Sequence, residues 1–123
     1  MQLTISQRFF FDAAHTLQRT LEAEGSRRIH GHTYHAEVSV TGPRDPATGM
    51  VLDLGLLRQR LETVRLQLDH HLLDEVPQLD RPTLENLCLF IAHQLTDLQP
   101  PVSQVRVWRE SLGDACTLKL TTA

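Results

Sequence analysis

Three histidines in the first third of the chain, His15, His30 and His32, have the residue type and spacing of a metal site. His30 and His32 flank Gly31 in "RIHGHTYHA", and residues two apart on an extended strand point to the same face. His15 closes "FDAAH" and shares the parity of Leu3, Ile5, Phe9 and Phe11. If that apolar run is the neighbouring strand, three imidazoles converge. Three neutral nitrogens with one open position is the arrangement of catalytic zinc. The open position can polarise a hydroxyl or carbonyl oxygen of a substrate. One histidine alone is usually a packed or surface residue; a pair at this spacing with a third on the adjacent strand points to metal. His35 has the opposite parity and stands outside the set. His93 lies off the apolar stripe of its helix and reads as solvated.

A second group offers proton chemistry. "QLDHHLLDEV" places Asp69 beside His70, and an aspartate near a histidine can orient its ring and raise its basicity near neutral pH. Adjacent residues do not automatically touch, so on the residues alone the pair reads as a polar helix end. Glu110 ends "VRVWRE" before a turn, where a glutamate is ordinarily solvated. The two cysteines, Cys88 and Cys116, form no Cys-x-x-Cys site and no disulfide framework. Cys88 falls on an apolar helix stripe and Cys116 in the last strand, so both read as packing residues.

The elements that must position these groups follow from periodicity. Residues 2–14 alternate as a strand, rich in phenylalanine. Residues 16–28 are polar, lack a period of two and read as a loop. Residues 29–41 are the next strand, with His30, His32, Tyr34, Ala36, Val38 and Val40 on one face. "TGPRDPATGM" is dense in turn formers. Asp53 stands at a helix N-cap, followed by Leu54, Leu57, Leu61, Val64 and Leu68 at helical spacing. After a long connection Thr83 caps a second helix, whose stripe is Leu84, Leu87, Cys88, Ile91, Leu95 and Leu98, and "QPP" ends it. Residues 102–110 form a third strand, "SLGD" a turn, and Cys116, Leu118 and Leu120 alternate along a fourth. The order ββααββ predicts an α+β fold, one antiparallel sheet with two helices on one face. Two open sheet edges invite oligomerisation.

Composition narrows the function classes. The 123 residues suit one domain, 1–123, with its own core. A hydrophobic fraction of 41% and a charged fraction of 22% are those of a soluble globular protein. The net charge of −3 argues against nucleic-acid binding, which needs a basic face. No run reaches the roughly 18 apolar residues of a membrane span. Neither a secretory signal pattern nor a disulfide framework is present, so a cytoplasmic protein is expected.

Taken together, "FDAAH", "HGHTYHAEV", "GMVLDLGLLR", "LDHHLL", "RPTLENL" and "RES" resemble, in order, the 6-pyruvoyl-tetrahydropterin synthase family, and within it the bacterial 6-carboxy-tetrahydropterin synthase branch. The resemblance covers nearly the whole chain. It implies a tunnelling fold of ββααββ topology, with sheets joined into an oligomeric barrel, a trimer or a dimer of trimers. It implies zinc on His15, His30 and His32, a pterin ring gripped by Glu110, Asp69 and His70 as the acid–base pair, and Thr83 near the pterin pocket. Thr83 also explains itself as a helix cap, and for Asp53 the capping role is preferred. The implied reaction converts 7,8-dihydroneopterin triphosphate to 6-carboxy-tetrahydropterin, releasing acetaldehyde and triphosphate, and its product feeds 7-deazapurines such as queuosine.

One position departs from that pattern. The branch places a catalytic cysteine four residues before the first histidine of HGH, and this chain has Ser26 there. A thiol is readily tuned to a thiolate, whereas a serine hydroxyl needs an adjacent base. Three explanations stand open: an engineered replacement, a natural serine with His70 performing the proton transfers, or another group in the loop. Glu24 is the loop carboxylate considered, because some family members use a glutamate and form a hydroxymethylpterin. Alternative outcomes are therefore the hydroxymethyl-forming lyase, a pyruvoyl-type synthase, or a weakened pterin-binding paralogue.

Overall fold

The structure is a computed structural model that describes residues 1–17 and 20–120, leaving aside the side chains of Ala23 and Ser26. Four strands and two long helices appear in the expected order, with one additional short helix, α1: β1 (Leu3–His15), α1 (Ala23–Arg27), β2 (His30–Gly42), α2 (Leu54–Leu68), α3 (Leu84–His93), β3 (Val102–Arg109) and β4 (Asp114–Lys119). The sheet is antiparallel, ordered β1-β2-β3-β4. No helix among the described residues is long and apolar enough to cross a membrane.

The alternation of side chains fixes which face is dry. Phe11, Tyr34, Ala36, Val38, Val40, Val105 and Val107 are all at most 1% exposed. They face α2 and α3, whose Leu57, Leu61, Val64, Leu68, Leu87, Cys88 and Ile91 complete the core. Burying each large aliphatic side chain is worth about 1.5–3 kcal/mol. Both caps form as expected. The Asp53 carboxylate accepts from Gly55 N at 2.8 Å, and the Thr83 hydroxyl accepts from Asn86 N at 3.1 Å. Gly42 ends β2 where a Cβ would approach Pro100 Cγ to 2.8 Å, so a larger residue there would collide with the turn before β3.

Three local expectations need correction. The polar stretch 16–28 is not all loop, because α1 forms within it. A five-residue helix carries no apolar stripe for periodicity to reveal. The long connection 69–82 contains a 3-10 turn at Leu73–Glu75. The second helix ends at His93 rather than running to Leu98. Leu95 and Leu98 are still buried, at 1% and 3% exposure, because turns bonded through Leu95 N to Ala92 O and Leu98 N to Leu95 O fold them back.

Candidate metal centre and its surroundings

The β1–β2 register pairs His15 directly with His30 and Ala13 with His32. All three histidines therefore sit at one end of the sheet, on its helix-covered face. His15 Nε2 lies 2.9 Å from His30 Nε2 and 3.1 Å from His32 Nε2. The ring planes are steeply inclined, at 72° and 90° to that of His15, so the nitrogens converge on a point without stacking. His15 is almost fully buried, at 2% exposure.

The far sides of the rings determine their protonation. His15 Nδ1 faces the carbonyl oxygen of Pro82 at 3.2 Å, and His30 Nδ1 faces that of Arg28 at 2.7 Å. A carbonyl only accepts, so each Nδ1 carries the hydrogen. The Tyr34 hydroxyl stands 3.2 Å from the same His15 nitrogen. In the neutral rings Nε2 then presents a lone pair, and these lone pairs point at one another. A proton added to His15 or His32 is a poor remedy. Burial above all, with the backbone contact opposing it, lowers the pKa of His15. Burial, then Arg109 and the two neighbouring rings, push His32 down to about 4. A divalent cation resolves the conflict. Tetrahedral ligands about 2.0–2.1 Å from zinc lie roughly 3.3–3.4 Å apart, a few tenths of an ångström beyond the spacing found. Backbone carbonyls holding the outer nitrogens are the usual support for such ligands. The donor set fits.

Around this centre the remaining residues divide. A cleft of about 180 Å³ is lined by all three histidines together with Glu22, Gly25, Arg109 and Leu112. A neighbouring one of about 320 Å³ is lined by His15, Tyr34, Thr83, Glu85, Arg109 and Asp114 among others. Thr83 is thus both a cap and a wall of the site. His70 lines a broader cleft together with His32, and neither His15, His30 nor Arg109 lines it. Asp69 is fixed by the Asp12 amide at 2.9 Å and by Arg65 at 3.2 Å, and its carboxylate is 3.9 Å from His70 Nε2. His70 adopts a left-handed backbone, φ 58°, with its side chain 79% exposed. A non-glycine residue held there is strained, as functional residues often are.

Glu110 is exposed at the end of β3 and accepts a hydrogen bond from the Trp108 indole at 2.9 Å; it does not line the clefts around the three imidazoles. His35 stacks on Trp108 at 5.5 Å, away from the other histidines, and His93 is exposed. Ser26 falls within α1, and its side chain lies outside the described residues. Glu24 is 86% exposed and paired with Arg28 at 3.0 Å, while Glu22 is the acidic residue of that loop lining the metal cleft. Cys88 is buried against β3 and β4, and desolvation pushes its thiol up to about 12, so it offers no thiolate. Periodicity did not single out Arg109, although its parity on β3 already placed it on the histidine face, opposite the side of Trp108.

Comparisons with known proteins bear on the family and the fold. The family model described as 6-pyruvoyl tetrahydropterin synthase matches residues 4–120. The dihydroneopterin monophosphate aldolase of Pyrococcus furiosus is 34% identical over 114 residues, covering 93% of this chain and 91% of that protein. The human 6-pyruvoyl tetrahydrobiopterin synthase is 35% identical over 113 residues, covering 80% and 78%. The 6-carboxy-5,6,7,8-tetrahydropterin synthase of Synechocystis sp. is 35% identical over 103 residues, covering 79% and 78%. Among solved structures, the Caenorhabditis elegans 6-pyruvoyl tetrahydropterin synthase superposes with a TM-score of 0.84 at 24% identity, covering 98% of this chain and 97% of that one. That likeness shows the fold, and the ββααββ tunnelling-fold topology expected from the sequence is present.

Proposed function

Because the chain belongs to the 6-pyruvoyl tetrahydropterin synthase family, we propose that it is a metal-dependent carbon–carbon lyase acting on the side chain of a dihydroneopterin phosphate. The observation that carries this reading is the convergence of His15, His30 and His32 through Nε2, with Nδ1 of His15 and His30 held by carbonyl oxygens. Zinc is the cation proposed for them; bound there it would act as a Lewis acid toward a side-chain oxygen of the substrate.

The chain's own groups supply the rest. His70 is assigned the transfer of a proton to or from a side-chain carbon, with the Asp69 carboxylate, 3.9 Å from its Nε2, to orient the ring. Glu110 is assigned to the pterin ring, since a carboxylate accepts paired hydrogen bonds from a ring N–H and an amino group. Thr83 and Tyr34 wall the approach to His15. The copies are proposed to join through the open edges of β1 and β4 into a ring, a trimer or a dimer of trimers, and to work in the cytoplasm.

Two products fit a lyase of this kind. The first reading is 6-carboxy-tetrahydropterin, made from the triphosphate with uptake of water and loss of acetaldehyde and triphosphate, a step toward 7-deazapurines. The second is a hydroxymethyl-dihydropterin made by retro-aldol cleavage. It is favoured by the 93% coverage of the Pyrococcus furiosus aldolase match and by the absence of a thiol among the described residues lining the metal clefts. Incubating zinc-loaded protein with dihydroneopterin mono- and triphosphate decides. Acetaldehyde with a carboxypterin supports the first, and glycolaldehyde or its phosphate with a hydroxymethylpterin supports the second. A pyruvoyl product retaining all side-chain carbons, or unchanged substrate, overturns the carbon–carbon cleavage. A Ser26→Cys variant assayed alongside is expected to raise carboxypterin formation if the first reading holds.

A further inference from the structure

We propose that Arg109 is an anion-binding residue of the metal cleft and receives a phosphate group of the substrate; that the phosphate is carried by a pterin rests on the function proposed above. Arg109 ends β3 and lines both the cleft holding the three imidazoles and the adjoining one with Thr83 and Tyr34. Its side chain is only 12% exposed. Asp114 engages its Nε at 3.0 Å and its Nη2 at 2.5 Å, and its guanidinium carbon lies 6.0 Å from the centre of the Tyr34 ring.

The placement is unexpected for a purely structural tie. A permanent cation beside three metal-binding nitrogens opposes a metal ion, because like charges repel most strongly where water is scarce. Tying neighbouring segments by a forked arginine–aspartate pair does not require that location: Arg60 of α2 and Asp97 form such a pair, at 3.0 and 2.7 Å, on the surface. What a largely buried guanidinium beside those nitrogens does provide, once its carboxylate partner is displaced, is a local excess of positive charge. A guanidinium has five N–H donors in a rigid fork that matches phosphate oxygens. Asp114 engages two of its nitrogens and is itself 41% exposed, so it can turn aside when a stronger acceptor arrives. The pair is then a phosphate receptor kept closed by its own counter-ion.

The test is titration calorimetry on the full chain with three probes: inorganic triphosphate, neopterin and neopterin triphosphate. Wild type is expected to bind neopterin triphosphate more tightly than neopterin. Arg109→Gln is expected to weaken both phosphate-bearing probes by about tenfold or more and to erase that preference, with metal content unchanged. Asp114→Asn is expected to act oppositely and tighten phosphate binding, because it removes the competing carboxylate while leaving the guanidinium. A structural tie alone predicts that neither substitution changes the preference for phosphate, whatever each does to thermal stability. That result overturns the proposal. If Arg109→Gln fails to fold, Arg109→Lys and Asp114→Asn decide, and an Asp114→Asn affinity for triphosphate at or below wild type counts against it. Arg109-dependent binding of inorganic triphosphate with no binding of either pterin would sustain this inference while removing the pterin reading.

Discussion

The Nδ1 atom of His15 meets the carbonyl oxygen of Pro82 at 3.2 Å across 67 positions of sequence. The residue after Pro82 is Thr83, the N-cap of α3. The ring at the middle of the histidine cluster and the first turn of a core helix therefore share one short segment, so stability and site geometry are coupled there.

Thr83→Ala should cost about 1 kcal/mol of folding stability through loss of the cap. Thr83→Ser should restore most of it, because the hydroxyl to the Asn86 amide is kept. Denaturant unfolding of the three proteins measures this. Alanine and serine variants of equal stability would mean that the hydroxyl does not cap the helix.

His32→Ala should reduce bound metal from one equivalent per chain toward none and remove most turnover, while the fold persists, since His32 lies at the rim of the core rather than inside it. Elemental analysis with circular dichroism checks it. A folded variant retaining a full equivalent would move the metal elsewhere.

Glu110→Ala should weaken pterin binding while leaving metal content unaltered. The residue lies outside the metal clefts, so the two readouts separate cleanly. Fluorescence titration with neopterin gives the affinity; an unchanged value would place the ring against other residues.

Acid should selectively remove the contribution of Asp114. The Arg109 guanidinium holds its carboxyl below the usual 3.8. A depressed folded pKa means stabilisation present above the unfolded value and lost as pH falls through the folded one. The stability gap between wild type and Asp114→Asn should therefore be full at neutral pH and close below about pH 4. Unfolding curves at several pH values would show it, and a gap independent of pH would argue that the pair is not ionic.

Much of this was written in local pattern. Alternation along β1 and β2 put His15, His30 and His32 on one face, and apolar spacing marked α2 and α3 with their Asp53 and Thr83 caps, because side-chain periodicity is a property of neighbouring residues. Short α1 is too brief to show a period, and the spacing predicts too long an α3, since Leu95 and Leu98 keep the helical spacing while the backbone turns. Sequence points to Glu24 among the loop carboxylates, yet the path of the chain brings Glu22 to the cleft and leaves Glu24 with Arg28.

By itself the sequence determined the order of elements, the buried face and the three imidazoles on it. Tertiary structure alone decided which ring nitrogens meet, through carbonyls of Pro82 and Arg28, and which charge stands beside them, through Arg109. The reason is physical: a tautomer or an electrostatic neighbour depends on atoms brought close by register and packing, and no period along the chain encodes those distances.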